Sequence, residues 1–259
     1  MALTLTNICF SYAGGSTASK LLDGLDLIVE KGSITALIGL NGTGKTTLLN
    51  ILSGFEMGYE GEIHFNGKPL RGLTTHQCTR QKTGRLFQGA RLSDDLTLFE
   101  NMMLAFPNQE NESPLAAWVR RKRIAENERK GRNKAISVID SFFGSDNKYV
   151  GKLDQTAKSF SYGEQRIFAF LRLMMDDNDL LLLDEPTSGV NSIHFSRMAD
   201  ILHQLKDKGA TILMVEHNMG FVREAADHCA YLEDGRILKS GSVESVLSDD
   251  GIKSKYLGL

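Results

Sequence analysis

Apolar and polar positions alternate over residues 2–10 and again from Leu25 to Glu30, with Gly14-Gly15 between them and Lys31-Gly32 after. A period of two is that of a half-buried strand, and glycine-containing pairs are turn signals, so the chain opens with short strands of a mainly antiparallel sheet. At Ile34 to Ile38 the alternation gives way to an unbroken apolar run, which predicts a strand covered on both faces. A glycine-rich stretch follows, and then Thr47-Leu-Leu-Asn-Ile-Leu-Ser reads as a helix. Alternation returns at Glu62 to Phe65, closed by Asn66-Gly67, and residues 71–80 carry a short helical pattern before a strand from Thr83 to Phe87 that ends at Gln88. Between Thr97 and about Asp154 the period becomes helical. Leu98, Asn101, Met102 and Ala105 share one face, Pro107 and Pro114 interrupt, and Ala135, Val138, Ile139 and Phe142 form a second apolar face. Leu180-Leu-Leu-Leu183 predicts a buried parallel strand, residues 191–206 a helix, residues 210–215 another buried strand and residues 221–226 a helix. A hairpin over residues 229–240 and a helical piece over residues 243–247 follow. Buried strands alternating with helices give an α/β chain whose central sheet is mixed, with an antiparallel β subdomain at the start and a helical subdomain inserted at about residues 97–175.

The glycine-rich stretch is Gly39-Leu40-Asn41-Gly42-Thr43-Gly44-Lys45-Thr46, followed by Thr47. Glycines at 39, 42 and 44 let successive backbone N–H groups curl toward an anion, and the helix beginning near Lys45 adds its positive end. Lys45 reaches the outer phosphates and the Thr46 hydroxyl is placed to ligate the magnesium ion of a nucleoside triphosphate. An ordinary glycine turn before a surface helix would not require this full spacing between a strand and a helix. The strand ending in Asp184 supplies the acid that completes a magnesium site, and Glu185, one step on, points elsewhere and is placed to hold the attacking water. His217 directly follows a buried strand, at the edge where open α/β sheets bind ligands; a capping or core histidine is the plainer alternative. Gln88 is either a surface polar residue or a contact to metal or water, and Tyr12 either a half-buried edge aromatic or a ring for stacking on adenine.

The 259 residues suffice for a full core. A net charge of −2 argues against a general nucleic-acid surface. The eight basic residues between 120 and 134 sit beside only Glu126 and Glu128. They read first as a solvated helix face, and second as a contact for anionic lipid headgroups. Cys9, Cys78 and Cys229 show neither a disulfide framework nor metal spacing, which fits a reducing compartment. No secretory signal and no membrane-spanning run is read, so work at a membrane would require another anchor.

In order along the chain, the loop at 39–46, Gln88, Ser161-Tyr-Gly-Glu-Gln165, Asp184-Glu185-Pro186, Ser188-Gly-Val-Asn191 and His217 resemble the nucleotide-binding subunit of an ABC transporter across essentially the whole chain. The resemblance implies a P-loop NTPase of the ABC type, a single ABC ATPase domain whose RecA-like core and antiparallel subdomain span about residues 1–96 and 176–259. It implies ATP and Mg2+ as cofactors, Tyr12 as the adenine-stacking aromatic, and Gln88 as the link from the metal site to the helical subdomain. Ser161 and Gly163 correspond to groups that bind the terminal phosphate held by another subunit. Tyr162 and Glu164 depart from the family's Gly and Gln, and Asn191 replaces an aspartate. Implied partners are a second ATP-binding subunit (a homodimer or a close paralogue), transmembrane permease subunits and, indirectly, a substrate-binding protein, with the chain peripheral on the cytoplasmic face of the membrane and no nucleic acid bound. Gly54-Phe55, Arg85-Leu-Phe-Gln88, Leu96-Thr-Leu-Phe-Glu-Asn101, Tyr162-Gly163 and Lys255-Tyr-Leu-Gly-Leu259 are most similar to importers of branched-chain amino acids. Urea and amide importers share many of these features. Lipopolysaccharide-export ATPases are the transport alternative and soluble ABC ATPases acting on nucleic acid or ribosomes the contrast class. A groove near Gln88 is the expected seat of a membrane partner's coupling helix, with Phe87, Leu92, Leu96 and Phe99 as either its apolar lining or core residues.

Overall fold

The computed structural model describes residues 2–12, 20–107, 121–145 and 147–257. Gly14-Gly15, Pro114, Arg120 and the final Gly258-Leu259 lie outside them. The chain divides into two compact units, one of Met1–Gln88, Asn178–Ser188 and Ser192–Leu259, the other of Gly89–Asp177 and Gly189–Asn191.

In the first unit the strands are β1 (Leu3–Phe10), β2 (Leu22–Val29), β3 (Ile34–Ile38), β4 (Glu60–Phe65), β5 (Lys68–Pro69), β6 (Thr83–Leu86), β7 (Leu180–Asp184), β8 (Thr211–Val215), β9 (His228–Glu233) and β10 (Arg236–Ser242). They form a four-stranded antiparallel sheet, order β2-β1-β4-β5, and a six-stranded sheet, order β10-β9-β3-β8-β7-β6. In the larger sheet every pairing is parallel except the β9–β10 hairpin. The mixed sheet follows from the pattern: β3, β7 and β8 are buried at every position, as parallel strands covered on both faces must be, whereas β2 and β10 alternate.

Helix α1 (Lys45–Leu52) contributes Leu48, Leu49, Ile51 and Leu52 to a single core that also takes Leu3, Leu5 and Ile8 from the smaller sheet and Leu180, Leu182, Leu213 and Val215 from the larger. Each such leucine is worth about 1.5–3 kcal/mol in apolar burial. The start of α1 is therefore held by packing rather than by its own propensity, which is marginal for so short a helix. Helix α2 (Thr75–Arg80) begins later than expected because the Thr74–Gln77 capping box sets its start.

The second unit contains α3 (Leu98–Met103), α4 (Arg121–Phe143) and α5 (Tyr162–Leu171). Ala135, Val138, Ile139 and Phe142 of α4 are all buried, as their spacing implies. Of the basic stretch, Lys122, Arg123, Arg129 and Lys130 are exposed and Arg132 and Lys134 half-buried. There Lys130 pairs with Glu126 at 2.9 Å, and Arg132 forms a bidentate pair with Asp154 at 2.9 and 2.6 Å while lying over the Phe99 ring. Of the four apolar residues considered for a docking groove, Leu92 and Phe99 are buried and Leu96 is half-buried, while Phe87, in the first unit, is exposed. Helices α6 (Phe195–Asp207), α7 (Met219–Ala225) and α8 (Val243–Leu247) belong to the first unit. All three cysteines are free and buried. Among the described residues no helix is long and apolar enough to cross a membrane.

Candidate functional site

The registers β3–β8 (Leu37 opposite Val215) and β7–β8 (Asp184 opposite Val215) bring the carboxyl ends of three strands side by side. Residues 39, 185 and 216–217 leave the sheet together, the position at which open α/β sheets take ligands. An open cavity of about 310 Å³ sits there. Its walls include Asn41, Gly42, Gly44, Lys45, Thr46 and Thr47 from the loop and α1, together with Gln88, Glu185 and His217.

The loop after β3 is shaped by glycine where nothing else fits. Gly44 precedes α1 with φ +98°, and a Cβ on Gly39 would stand 2.2 Å from the Leu232 carbonyl oxygen. Thr43 donates to the Leu40 carbonyl at 3.0 Å. The Lys45 ammonium donates to the carbonyls of Gly39 and Leu40 at 2.8 and 2.7 Å, which folds the lysine back over the loop and leaves one of its three N–H groups for a further acceptor. Burial draws the Lys45 pKa below the usual lysine range, opposed by the carboxylates of Glu185 and Asp184.

Thr46 donates to Asp184 Oδ1 at 3.3 Å, so the two oxygen donors for a hard cation are adjacent. Among the described residues there is no group of three or more His, Cys, Asp or Glu able to cage a metal. A single carboxylate, a hydroxyl and the phosphates of a nucleotide are the ligand set that suits Mg2+, and these residues fit it. Asp184 is fully buried, and burial raises its pKa against the opposing pull of Arg85 and the Thr46 hydroxyl. Arg85 Nη2 holds Asp184 Oδ2 at 3.0 Å and lies 3.4 Å from the Asn50 side-chain oxygen. Burial lowers the Arg85 pKa to about 10, although Asp184 opposes the shift.

Glu185 carries the turn out of the sheet. Its N–H donates to the Val215 carbonyl at 2.9 Å, and its φ of +48° lies in the left-handed region, which costs a non-glycine residue on the order of 1 kcal/mol. Its Oε1 stands 3.3 Å from His217 Nε2. The backbone at His217 is held by a residue that the sequence pattern did not single out. Glu216 is 2% exposed; its Oε1 accepts from the Thr187 N–H and hydroxyl at 2.9 and 2.6 Å, and its Oε2 from the N–H groups of His217 and Asn218 at 2.9 and 3.1 Å. One carboxylate thus joins the turn after β7 to the turn after β8. A buried acid between an apolar strand and a histidine was the available signal.

Tyr12 is 63% exposed, its ring edge-on to Phe10 at 4.9 Å and its hydroxyl 3.0 Å from Thr47 Oγ1, so it stands beside the start of α1 without lining the cavity. Ser161, Gly163 and Glu164 are in the second unit, at the start of α5, and are not among the cavity residues. Ser161 caps that helix by accepting from the Glu164 N–H at 3.3 Å, and the Glu164 carboxylate returns to the Ser161 N–H at 2.8 Å. The other Glu164 oxygen accepts from the Tyr149 hydroxyl at 2.7 Å, and the lowered Glu164 pKa is the net of burial, which raises it, and these hydrogen bonds. The Tyr162 ring lies against Gly189, with Arg91 over its face at 5.8 Å.

A doubly covered parallel sheet with a phosphate loop, a lysine and an Asp-Glu pair at its carboxyl edge defines a P-loop nucleotide hydrolase. The sequence profile of the family described as ABC transporter matches residues 22–188, and the chain belongs to that family. It is an ATPase with the P-loop fold of the ABC type. It is 32% identical over 250 residues to the probable branched-chain amino acid transport ATP-binding protein LivG of Archaeoglobus fulgidus, covering 93% of each chain. It is 30% identical over 259 residues to the lipopolysaccharide export system ATP-binding protein LptB of Haemophilus influenzae, covering 99% of this chain and 97% of that one. Among solved structures, a nucleotide-free ATP-binding cassette from an ABC transporter matches with a TM-score of 0.80 at 28% identity, covering 100% of this chain and 99% of that one.

Proposed function

We propose that this chain is the ATP-hydrolysing subunit of an importer of branched-chain amino acids or a related small polar solute such as urea or a short amide. The observation that carries the hydrolytic part is the grouping of Lys45, Thr46, Glu185 and His217 around one cavity with Asp184 beneath it. In this reading ATP lies with its phosphates in the loop at 39–46 and its adenine against Tyr12. Thr46, Asp184 and Gln88 hold Mg2+, which when bound offsets charge on the phosphate oxygens. Lys45 and the loop N–H groups bind the outer phosphates; Glu185 orients a water toward the terminal phosphorus; His217, 3.3 Å from Glu185, fixes that carboxylate and reaches the terminal phosphate. Ser161, Gly163 and Glu164 act from a second copy or close paralogue on a nucleotide held by the first. Glu164 does so by holding the capped helix end, since both its oxygens are committed within its own unit.

The transport part rests on likeness to the LivG protein and on the first unit's surface. Phe55 and Phe87 are 52% and 40% exposed and meet edge-on at 5.1 Å, an apolar pair suited to a helix of a permease subunit on the cytoplasmic face of the membrane. A substrate-binding protein would be contacted only through that permease. The likeness to LptB makes lipid export the second reading. Reconstitution of the complex with its permease and binding protein tests both. ATP-dependent uptake of leucine, isoleucine, valine, urea or a short amide is the expected result, and outward movement of a lipid with no uptake of any panel member would replace import by export.

A further inference from the structure

Arg85, in β6 of the first unit, is a buried cation with unmatched donors. Its side chain is 6% exposed, and Nε and Nη1 are buried without a hydrogen-bond partner among the described residues. Its polar contacts run through Nη2 alone, to Asp184 Oδ2 and Asn50 Oδ1. The guanidinium carbon lies 5.2 Å from the centre of the Phe87 ring, within cation–π range, while Nη2 at its edge holds the carboxylate. A buried ion pair is commonly no more stable than well-packed apolar side chains of the same volume, and here two donors are unmatched besides. The arrangement nonetheless does one thing that packing would not. It occupies Oδ2 of Asp184 and so turns Oδ1 toward the Thr46 hydroxyl at 3.3 Å.

We infer that Arg85 is a positioning residue for the metal-binding carboxylate: by holding Asp184 Oδ2 it presents Oδ1, together with Thr46, to the Mg2+ that accompanies the nucleotide. The inference rests on the reading of Thr46 and Asp184 as the metal-holding pair. Groups that orient a ligand from behind typically change metal affinity by about 10–100-fold when removed, while contacts to the rest of the ligand persist. Without Arg85 the carboxylate is free to turn about its last torsion, and the oxygen facing Thr46 is no longer specified.

The test separates metal from nucleotide. Binding of a non-hydrolysable ATP analogue to the full-length chain is followed by calorimetry in EDTA and across a Mg2+ titration, with the free Mn2+ signal in electron paramagnetic resonance as an independent measure of metal uptake. Arg85→Met is expected to leave affinity in EDTA within about 2-fold, which also shows that the site is folded, and to raise half-saturating Mg2+ and Mn2+ by about 10-fold or more. Asp184→Asn is expected to raise them as well, and Arg85→Met added to Asp184→Asn to change nothing further, because the arginine acts through the carboxylate. Unchanged or tighter metal binding in Arg85→Met overturns the inference, as does an equal loss in EDTA and in Mg2+, or a further loss in the double variant. Unchanged metal binding in Asp184→Asn would bring down the metal reading itself, and with it the inference.

Discussion

Glu216 binds no part of a nucleotide in the proposed reading, yet it holds the backbone at His217, which does, and ties it to the turn that follows Glu185. Its four hydrogen bonds, from Thr187 on one side and from His217 and Asn218 on the other, join two turns whose other link is the Glu185–His217 contact. In Glu216→Gln one oxygen becomes an NH2 that cannot accept, leaving buried N–H groups unmatched at a cost of about 1–3 kcal/mol. The expected outcome is a fall in turnover of about 10-fold or more with nucleotide affinity nearly intact, read by steady-state phosphate release beside calorimetry; equal losses in both would mean a general loosening of the fold. The residues assigned to the phosphates in that reading should divide differently. Lys45→Ala removes a cation and should weaken ATP binding itself, whereas Glu185→Gln should keep binding and nearly abolish turnover. Near-normal phosphate release by Glu185→Gln would refute its water-positioning role.

At the scale of the element, β3 is held at its start by a side chain far away in sequence. Asp227 Oδ2 accepts the Ile34 N–H at 2.8 Å and Oδ1 pairs with Lys206 at 2.9 Å. Burial raises the Asp227 pKa, but the Lys206 and Ile34 contacts outweigh it and the net shift is downward. A carboxyl depressed on folding stabilises the protein above its unfolded pKa of about 4, and that contribution is lost as pH falls through the lower folded value. Asp227→Asn should therefore cost on the order of 1 kcal/mol at pH 7, and the difference from wild type should shrink in denaturant melts taken below about pH 4. A gap that widens on acidification would contradict this linkage. Helix α5 offers a second case. Its start rests on the Ser161–Glu164 box, so Ser161→Ala should lower stability by about 1 kcal/mol, a shift of a few degrees or less in melting temperature.

For the whole molecule, the proposed mechanism requires two chains. The cavity at the edge of the larger sheet is built from the first unit, while Ser161 and Gly163 stand in the second and do not line it. If a partner's Ser161 and Gly163 close over the nucleotide, association must depend on ATP by mass action. Glu185→Gln, expected to retain ATP, should appear as a dimer in light scattering at saturating ATP and as a monomer without it. A variant that stays monomeric in saturating ATP would count against the head-to-tail arrangement.

What the sequence by itself determined is what depends on local pattern. The unbroken apolar runs of β3, β7 and β8 and the glycine spacing of residues 39–44 each state their element within a few residues, because strand burial and loop geometry are set by side-chain periodicity and backbone permissiveness. Element ends were less legible: β2 begins at Leu22, before the alternation is evident, because pairing with β1 extends it, as Leu22 opposite Phe10 shows. Only the tertiary structure decided which polar residues answer one another. Glu216 reaches back to Thr187, Asp227 to Ile34, and Arg85 to Asp184, and nothing in the segments around them specifies these partners. The same holds for Phe87 and Phe99, alike in sequence as apolar residues and different in fate, the first exposed and the second buried. Sheet register brings distant residues to one edge, and a hydrogen bond between them is a property of that packing, not of either segment alone.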